Sequence, residues 1–407
     1  MDVNQSLDLL GGLSPAQFMR RHWQKKPLLV RQALPGMLPL LSRAALFKLA
    51  GREQVESRLI VQQAKGWRMK QGPFAARGLP PLGKAGWTLL VQGVDMHDAG
   101  AHALLQRFRF VPDARLDDLM ISFATPGGGV GPHFDSYDVF LLQASGRRRW
   151  KIGRQKDLTL QPGVPLKILQ NFEPEEEFVL EAGDMLYLPP RYAHDGIAEA
   201  ASGSDGKAAD CMTYSIGFRA PGRTELAVEL LRRLAEFTED EEEASPVEGN
   251  GRAGRLPRVY RDRGESATAT PAALPAALAE FAEQAVREAL KDPLAVGCAL
   301  GEYLTAPKPS VWFEAPRHAW DAVGTITSQA GIELDSRTRM MYNKAHVFIN
   351  GESYRAKGAD ASLMHRLADQ RGLSARELRK VSASAITLLA DWHGAGWLQQ
   401  ALPGADR

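Results

Sequence analysis

The sequence predicts an α+β protein in which an all-β domain is followed by a helical region and a C-terminal module of winged-helix type. Up to about residue 220, short apolar stretches alternate with Gly- and Pro-rich turns, which is typical of a β-sandwich or barrel. From residue 225 the apolar side chains recur at helical spacing instead. After residue 308, a hairpin and two helices are expected within about 100 residues. We therefore expect three domains, over residues 1–220, 221–306 and 307–407.

Composition and charge exclude several classes of protein. The 407 residues are enough for two or three cores, and apolar and charged fractions of 44% and 24% are those of a globular protein. A formal net charge of +2 gives no overall basic field, so no direct nucleic-acid binding is expected. Cys211 and Cys298 match no disulfide or zinc spacing. No apolar run approaches the roughly 20 residues of a membrane span, so we expect a cytoplasmic protein.

The all-β domain is expected to carry closely spaced strands behind one covering helix. The helix is predicted at residues 15–22, and the clearest strands are predicted at 87–91, 119–123, 139–143 and 184–189.

Three helices are expected in the middle region, at 225–234, 272–290 and 293–304. Between the first two, an acidic run precedes a stretch rich in Gly, Arg and Pro. The composition of residues 239–264 predicts a flexible insertion.

The C-terminal module begins with a hairpin predicted at 340–354, turning at Asn350-Gly351. Helices are expected at 361–370 and 374–397, the second opened by a capping box of Ser374 and Glu377. Its charges are mixed, so we interpret the module as an interaction domain.

A set of possible metal ligands is the most informative feature. Side chains of an extended segment alternate with period two, so His133 and Asp135 are expected on one face. His194 follows a distant strand and is the expected third ligand. His-x-Asp alone is a weak signal, and a barrel histidine is often only a satisfied polar group. Two histidines and one carboxylate, however, are typical of non-haem Fe(II) sites that leave coordination positions open for dioxygen.

A cluster of three arginines indicates how an anionic cosubstrate could be held. In a strand over residues 147–150, Arg148 and Trp150 share one face, while Arg147 and Arg149 share the other. A solvated basic edge is the alternative, and we expect it to apply to two of the three. We predict that Arg148 points inward and binds the far carboxylate of 2-oxoglutarate, with Ser122 as a second contact.

The same alternation predicts a substrate pocket. Asp118, Met120 and Ser122 share one strand face, and Tyr137 is expected on the face of His133 and Asp135. A carboxylate and an aromatic ring suit a guanidinium, so Asp118, Met120 and Tyr137 are predicted to bind substrate. The alternative is that Met120 fills the core and Asp118 caps a loop.

Several stretches together resemble the bacterial ribosomal oxygenases of the JmjC group. They are residues 18–31 with its His22-Trp23-Gln24-Lys25-Lys26-Pro27 motif, 87–94, 126–150 and 183–194. The resemblance implies a double-stranded β-helix (jelly-roll, JmjC/cupin) domain, a helical dimerisation region and a winged-helix domain. It also implies a homodimer that uses Fe(II), 2-oxoglutarate and dioxygen to hydroxylate an arginine of a large-subunit ribosomal protein.

Two alternatives stay open at this point. One is a JmjC oxygenase that acts on histidine or another protein residue. The other is a catalytically silent cupin that serves as an adaptor in ribosome assembly. The presence of His133, Asp135, His194 and Arg148 together favours an enzyme.

Overall fold

The computed structural model describes residues 2–63, 66–200, 210–243, 260–261, 272–316 and 331–401. The chain divides into two compact units, the first formed by Met1–Ala220 with Pro309–Trp312 and the second by Pro221–Lys308 with Phe313–Arg407. The division of the second unit at residue 306 stays a prediction. Within the described ranges, every helix is too short or too polar to cross a membrane.

The first unit is built mainly of strands, as the turn-rich sequence predicts. Its helices are α1 (Pro15–Arg21), α2 (Arg43–Leu49) and α3 (Ala99–Gln106). Its strands are β1 (Leu28–Val30), β2 (Ser57–Gln63), β3 (Gly66–Gln71), β4 (Trp87–Val91), β5 (Leu116–Ala124), β6 (Val139–Ser145), β7 (Arg148–Gly153), β8 (Glu176–Leu180), β9 (Met185–Leu188), β10 (Ala193–Ala198) and β11 (Cys211–Phe218). The expected helix and all four expected strands are present.

Two antiparallel sheets make up this unit. The larger has eight strands in the order β1-β9-β6-β11-β5-β4-β2-β3, and the smaller has three in the order β10-β7-β8. Val139 and Leu186 of the large sheet share one apolar cluster with Trp150 and Leu180 of the small sheet. The sheets therefore pack face to face, and the predicted jelly-roll fold is confirmed.

Side chains of the large sheet alternate between two environments. On β5, Leu119 and Ile121 belong to the main apolar core, which also contains Phe18 and Leu104 of the helices. Asp118, which lies on the opposite face of β5, is buried without belonging to that core. We call this opposite face, turned toward the small sheet, the inner face. Because polar residues collect on it, it is where a site is expected.

The second unit combines helices with two small sheets. Its helices are α4 (Arg223–Glu243), α5 (Ala276–Ala289), α6 (Pro293–Thr305), α7 (Gly358–Gln370), α8 (Ala375–Leu378) and α9 (Ala383–Gly394). Its strands are β12 (Ile332–Leu334), β13 (Met340–Tyr342), β14 (Val347–Ile349), β15 (Glu352–Tyr354), β16 (Gly372–Leu373) and β17 (Leu398–Gln400). They pair in the orders β16-β12-β17 and β13-β14-β15.

The predicted flexible insertion is wrong for its first residues. Residues 239–243 form the last part of α4, because glutamate is a good helix former and extends the preceding amphipathic helix. Except for residues 260–261, the remainder of 239–264 from residue 244 onward lies outside the described residues.

The C-terminal module differs from its prediction in two places. The hairpin has a third strand, because Asn343 Oδ1 accepts the backbone N–H of His346 at 2.8 Å and forms an additional turn between β13 and β14. Asn350 and Gly351 turn as predicted, both with positive φ. The helix expected at 374–397 is interrupted, because Ser382 caps a new helix by accepting the N–H of Ala385 at 3.2 Å. Glu377 does accept the N–H of Ser374, at 2.9 Å.

Candidate active site

The three candidate metal ligands come together between the two sheets. Within the described part of the chain, His133, Asp135 and His194 form a group whose ligand atoms all lie within 4.8 Å of one another. His194 Nε2 lies 3.8 Å from Asp135 Oδ2, and the two imidazole centroids are 4.2 Å apart. One ion could contact all three side chains.

The backbone that carries these ligands is less regular than expected. His133 forms an isolated bridge with His194, in which each residue donates its N–H to the other's carbonyl, at 2.9 and 2.8 Å. Asp135 and Tyr137 lie in no strand, so the expectation of one strand face for all three residues is wrong. After this bridge, single hydrogen bonds hold the segment in place of regular strand pairing. The N–H of Arg191 donates to the carbonyl of Asp135 at 2.7 Å.

Hydrogen bonds fix the form of both imidazoles. Nδ1 of His133 lies 2.8 Å from the Gly131 carbonyl, and Nδ1 of His194 lies 2.9 Å from the Tyr192 carbonyl. A carbonyl only accepts, so each Nδ1 carries a proton and each Nε2 is the nitrogen left to bind a metal. Burial, followed by the neighbouring His133, lowers the pKa of His194 to about 4. A neutral ring with a free Nε2 is the form that binds a metal.

The three arginines of the basic cluster point to different environments, as alternation along a strand predicts. Arg149 pairs with Glu177 and Glu199 at the surface, and Arg147 lies beside Glu181 and Glu199. Arg148 points inward and is only 4% exposed.

Arg148 presents donors that the described residues leave without an acceptor. Its Nε and Nη2 are buried and have no hydrogen-bond partner there, and the same holds for Trp150 Nε1 on the same strand face. An unpaired buried charge is costly, so this arrangement fits an anionic ligand. Paired guanidinium donors are suited to a carboxylate, and the site therefore fits a dicarboxylate cosubstrate.

Ser122 lies on the inner face, as expected, among polar neighbours that the sequence did not reveal. Its hydroxyl donates to the Thr213 carbonyl at 3.3 Å, and the Thr213 hydroxyl donates to Gln143 Oε1 at 2.8 Å. The alternation of Thr213 and Ser215 with apolar residues along β11 was the available signal. It was missed because nothing in the sequence shows which strand lies beside β5.

The candidate substrate pocket lies along the same face. Asp118 is 3% exposed, and Met120 is half-buried and outside the apolar clusters of the described residues. Ser215 lies opposite Met120 in the strand register. Gly217 leaves room beside the carboxylate, because a Cβ there would lie 3.8 Å from Asp118 Oδ1. The position of Asp118 within a strand disfavours a loop-capping role.

Tyr137 lies near both Asp135 and Asp118, and 38% of the residue is exposed. Burial raises the pKa of its phenol, and the carboxylates of Asp135 and Asp118 raise it further. Two unpredicted residues contact this region. Gln92 Nε2 donates to Asp118 Oδ1 at 3.4 Å, and Arg58 Nη2 donates to Gln92 Oε1 at 3.0 Å.

Comparison with known proteins identifies both parts of the chain. Residues 103–226 match the family model of the JmjC domain, and residues 288–399 match that of the ROXA-like winged helix. The chain is 42% identical over 212 residues to ribosomal protein uL16 3-hydroxylase of Escherichia coli K12, covering 51% of this chain and 53% of the relative. It is 34% identical over 218 residues to a probable ribosomal oxygenase of Haemophilus influenzae, covering 53% and 52%. The match thus spans about half the length of these curated relatives.

A solved structure is similar over almost the whole chain. It is YcfD, a ribosomal oxygenase from Escherichia coli in complex with cobalt and 2-oxoglutarate, with a TM-score of 0.75 and 28% identity. The similarity covers 95% of this chain and 98% of YcfD. The chain therefore contains a JmjC domain and a ROXA-like winged helix, and it is similar in sequence and fold to the ribosomal oxygenases.

Proposed function

We propose that the chain is a cytoplasmic Fe(II)- and 2-oxoglutarate-dependent dioxygenase that hydroxylates an arginine side chain of a large-subunit ribosomal protein. The observation that carries the proposal is the group of His133, Asp135 and His194 in the same sandwich interior as the buried guanidinium of Arg148. The named activity of the uL16 3-hydroxylase and the ligands of YcfD support it.

The metal would be held by Nε2 of His133, Nε2 of His194 and the carboxylate of Asp135. These three side chains would supply only part of the metal's ligands, which would leave room for cosubstrate and dioxygen. When bound, Fe(II) couples the oxidation of a substrate C–H bond to the conversion of 2-oxoglutarate and dioxygen into succinate and carbon dioxide.

The chain's own contribution is to hold and orient the reactants. Arg148 Nε and Nη2 would donate to the far carboxylate of 2-oxoglutarate, with Ser122 nearby and the indole N–H of Trp150 as an additional donor. The two sheets exclude bulk water from these groups, which strengthens the pairing of guanidinium and carboxylate.

Recognition of an arginine side chain would use the pocket beside the metal. The Asp118 carboxylate is the ionic partner for a guanidinium, and the Tyr137 ring offers a face for it. Met120 and Ser215 would line the aliphatic part of the side chain. A metal ligand and a cation-binding carboxylate both lie close to Tyr137, so a bound arginine would present its carbon chain toward the metal.

We also propose that the protein is a homodimer through its middle helices. On α4, Val228 and Leu231 are 59% and 44% exposed, and on α5 Val286 is 52% exposed. Exposed apolar positions on neighbouring helices indicate an interface, and closed twofold dimers are the commonest oligomers.

The test uses matched peptides of a basic ribosomal protein segment that carry arginine, lysine or histidine at one position. With purified protein, Fe(II) and 2-oxoglutarate, the arginine peptide should gain one oxygen, with one succinate formed for each hydroxylation. Preference for the histidine peptide would support the alternative JmjC activity. Absence of both succinate and a mass change, in protein shown to bind the metal, would refute the proposed reaction.

A further inference from the structure

One buried carboxylate lies next to the metal-binding segment but is not among the candidate site residues. Asp138 is 0% exposed and lies between Tyr137 and the first residue of β6, three positions after the ligand Asp135. A carboxylate in this position must be compensated by donors, since burying an unpaired charge is strongly unfavourable.

Three side chains from distant parts of the first unit supply those donors. The Tyr187 hydroxyl donates to Asp138 Oδ1 at 2.6 Å, and Gln24 Nε2 donates to Oδ2 at 3.0 Å. Arg115 Nη2 lies 3.4 Å from the same Oδ2. The carboxylate thus joins β9, the segment before β5 and the N-terminal segment at one point.

The N-terminal partner belongs to the His22–Pro27 motif, for which the proposed reaction has no direct use. The backbone N–H of Gln24 donates to the Tyr187 hydroxyl at 2.8 Å, and Gln24 has a φ of 55°. Trp23 stacks on Tyr187 with ring centroids 6.0 Å apart and an interplanar angle of 18°. The Arg115 guanidinium carbon lies 5.7 Å from the Trp23 ring centroid. The motif therefore packs around the partners of Asp138.

The geometry of the metal-binding segment explains why such support is needed. Residues 134–138 belong to no strand, so no hydrogen-bond ladder fixes them. His133 anchors one end through its bridge to His194. At the other end, the Asp138 carbonyl accepts the N–H of Phe218 at 3.1 Å, and its carboxylate makes the contacts described above. Asp135 lies between these two anchors, where its carbonyl also accepts the N–H of Arg191 at 2.7 Å.

We infer that Asp138, held by Tyr187 and Gln24, is a positioning residue that keeps Asp135 in place for metal binding. The inference rests on the metal site of the proposed function. It assigns the His22–Pro27 motif a role in shaping that site from outside, without contact with metal, cosubstrate or substrate. Groups that hydrogen-bond a metal ligand typically affect metal affinity by about 10- to 100-fold when they are changed. Asp138 acts on Asp135 through three residues of backbone, so its effect is expected at the lower end of that range.

The experiment measures Co(II) affinity of the purified full-length protein by calorimetry, alongside its thermal unfolding. The variants are Asp138→Asn, Tyr187→Phe and Gln24→Ala. Asp184→Asn is the matched control, because Asp184 is also buried in this unit and accepts from Arg31 at 2.6 Å and from the Gln32 N–H at 2.9 Å. None of its hydrogen-bond or ion-pair partners lies in residues 133–138.

We expect Asp138→Asn to weaken Co(II) binding by roughly 10-fold, and Tyr187→Phe to weaken it in the same direction. Asp184→Asn should lower Tm and leave Co(II) affinity unchanged. With excess Fe(II), turnover of Asp138→Asn should recover toward the wild-type rate, and its Tm without metal reports any loss of folding separately. If Asp138→Asn does not fold, Tyr187→Phe and Gln24→Ala decide the question.

Two results would overturn the inference. In one, folded Asp138→Asn and Tyr187→Phe bind Co(II) as tightly as wild type. In the other, Asp184→Asn weakens Co(II) binding as much as they do. Failure of the wild-type protein to bind Co(II) at all would instead refute the metal site itself, and the proposed function with it.

Discussion

At the scale of single residues, strand phase separates the roles of three consecutive arginines. Arg147 and Arg149 meet glutamates at the surface, where ion pairs contribute little. Arg148 lies in the interior with unpaired donors. Side chains alternate between the two faces of a strand, so Arg148 was expected on the face opposite to Arg147 and Arg149.

The corresponding prediction concerns cosubstrate affinity. Arg148→Ala should raise the KM for 2-oxoglutarate by at least about 10-fold, since a hydrogen bond to a charged group contributes about 1.5–3 kcal/mol. Arg149→Ala is the matched control and should change the KM little. The measurement is succinate formation as a function of 2-oxoglutarate concentration. Equal effects of the two variants would remove Arg148 from the cosubstrate site.

A second residue-scale prediction concerns the substrate pocket. Asp118→Ala should weaken hydroxylation of the arginine peptide by roughly 2–5 kcal/mol in kcat/KM, because the guanidinium loses its buried partner. Tyr137→Ala should cost about 0.5–2 kcal/mol through loss of the ring face. Asp118 is not a proposed metal ligand, so Co(II) affinity should change much less in Asp118→Ala. Wild-type peptide turnover by Asp118→Ala would refute the arginine pocket.

The limit of prediction at this scale is set by contacts between strands. His133 and Asp135 were predicted from their spacing, His194 from its position after a distant strand, and Arg148 from the alternation of side chains along a strand. Thr213, Ser215 and Gln92 could not be assigned, because their neighbours on β5 depend on strand pairing over long sequence separations. Asp138 was missed for the same reason, since its partners come from positions 24, 115 and 187.

At the scale of elements, the main strands and helices were predictable where the apolar pattern was regular. Strands β4, β5, β6 and β9 lie where they were expected. The failures occurred at boundaries. The helix after residue 374 is broken at Ser382, which caps the next helix. In the sequence alone, a capping serine looks the same as a serine inside a helix. The segment after His133 was predicted to be a strand from the alternation of its residues. The sequence does not show that strand pairing there is limited to a single bridge between His133 and His194.

The pairing of β7 with β10 gives an element-scale prediction. Gly196 lies opposite Trp150, and a Cβ at this glycine would come within 2.5 Å of the indole ring. Gly196→Ala should therefore displace the strand that carries His194, lower stability by about 1–3 kcal/mol and weaken 2-oxoglutarate binding.

The control for this change is Gly83→Ala, where an added Cβ meets no atom within 4 Å. Denaturant unfolding and calorimetric titration with 2-oxoglutarate in the presence of Co(II) provide the two measurements. Wild-type stability and affinity of Gly196→Ala would show that the contact between Gly196 and Trp150 is unimportant.

At the scale of the whole molecule, the change of sequence texture near residue 220 coincides with the boundary between the two compact units. This boundary was predictable because short apolar stretches separated by Gly- and Pro-rich turns give way, within a few residues, to apolar residues at helical spacing. How copies of the chain associate depends on the exposed surface of the folded protein. The sequence pattern indicates that surface less directly than it indicates helices and strands.

The dimer prediction belongs to this scale. Val228→Glu combined with Leu231→Glu should shift the protein from dimer to monomer, because charges would replace exposed apolar contacts on α4. Light scattering over a range of concentrations measures the change, and Arg232→Glu serves as a control that alters charge on the same helix. A wild-type protein that is monomeric at every concentration would contradict the proposed dimer.

We propose that this chain uses a metal held by His133, Asp135 and His194 to hydroxylate a ribosomal protein. The decisive measurement is intact-mass spectrometry of ribosomal proteins from cells that lack the gene, and from the same cells with the gene restored as wild type or as Asp135→Ala. One large-subunit protein should gain the mass of one oxygen with wild type, and should stay unmodified without the gene or with Asp135→Ala. Identical masses in all three cells, or full modification by folded Asp135→Ala, would contradict the claim.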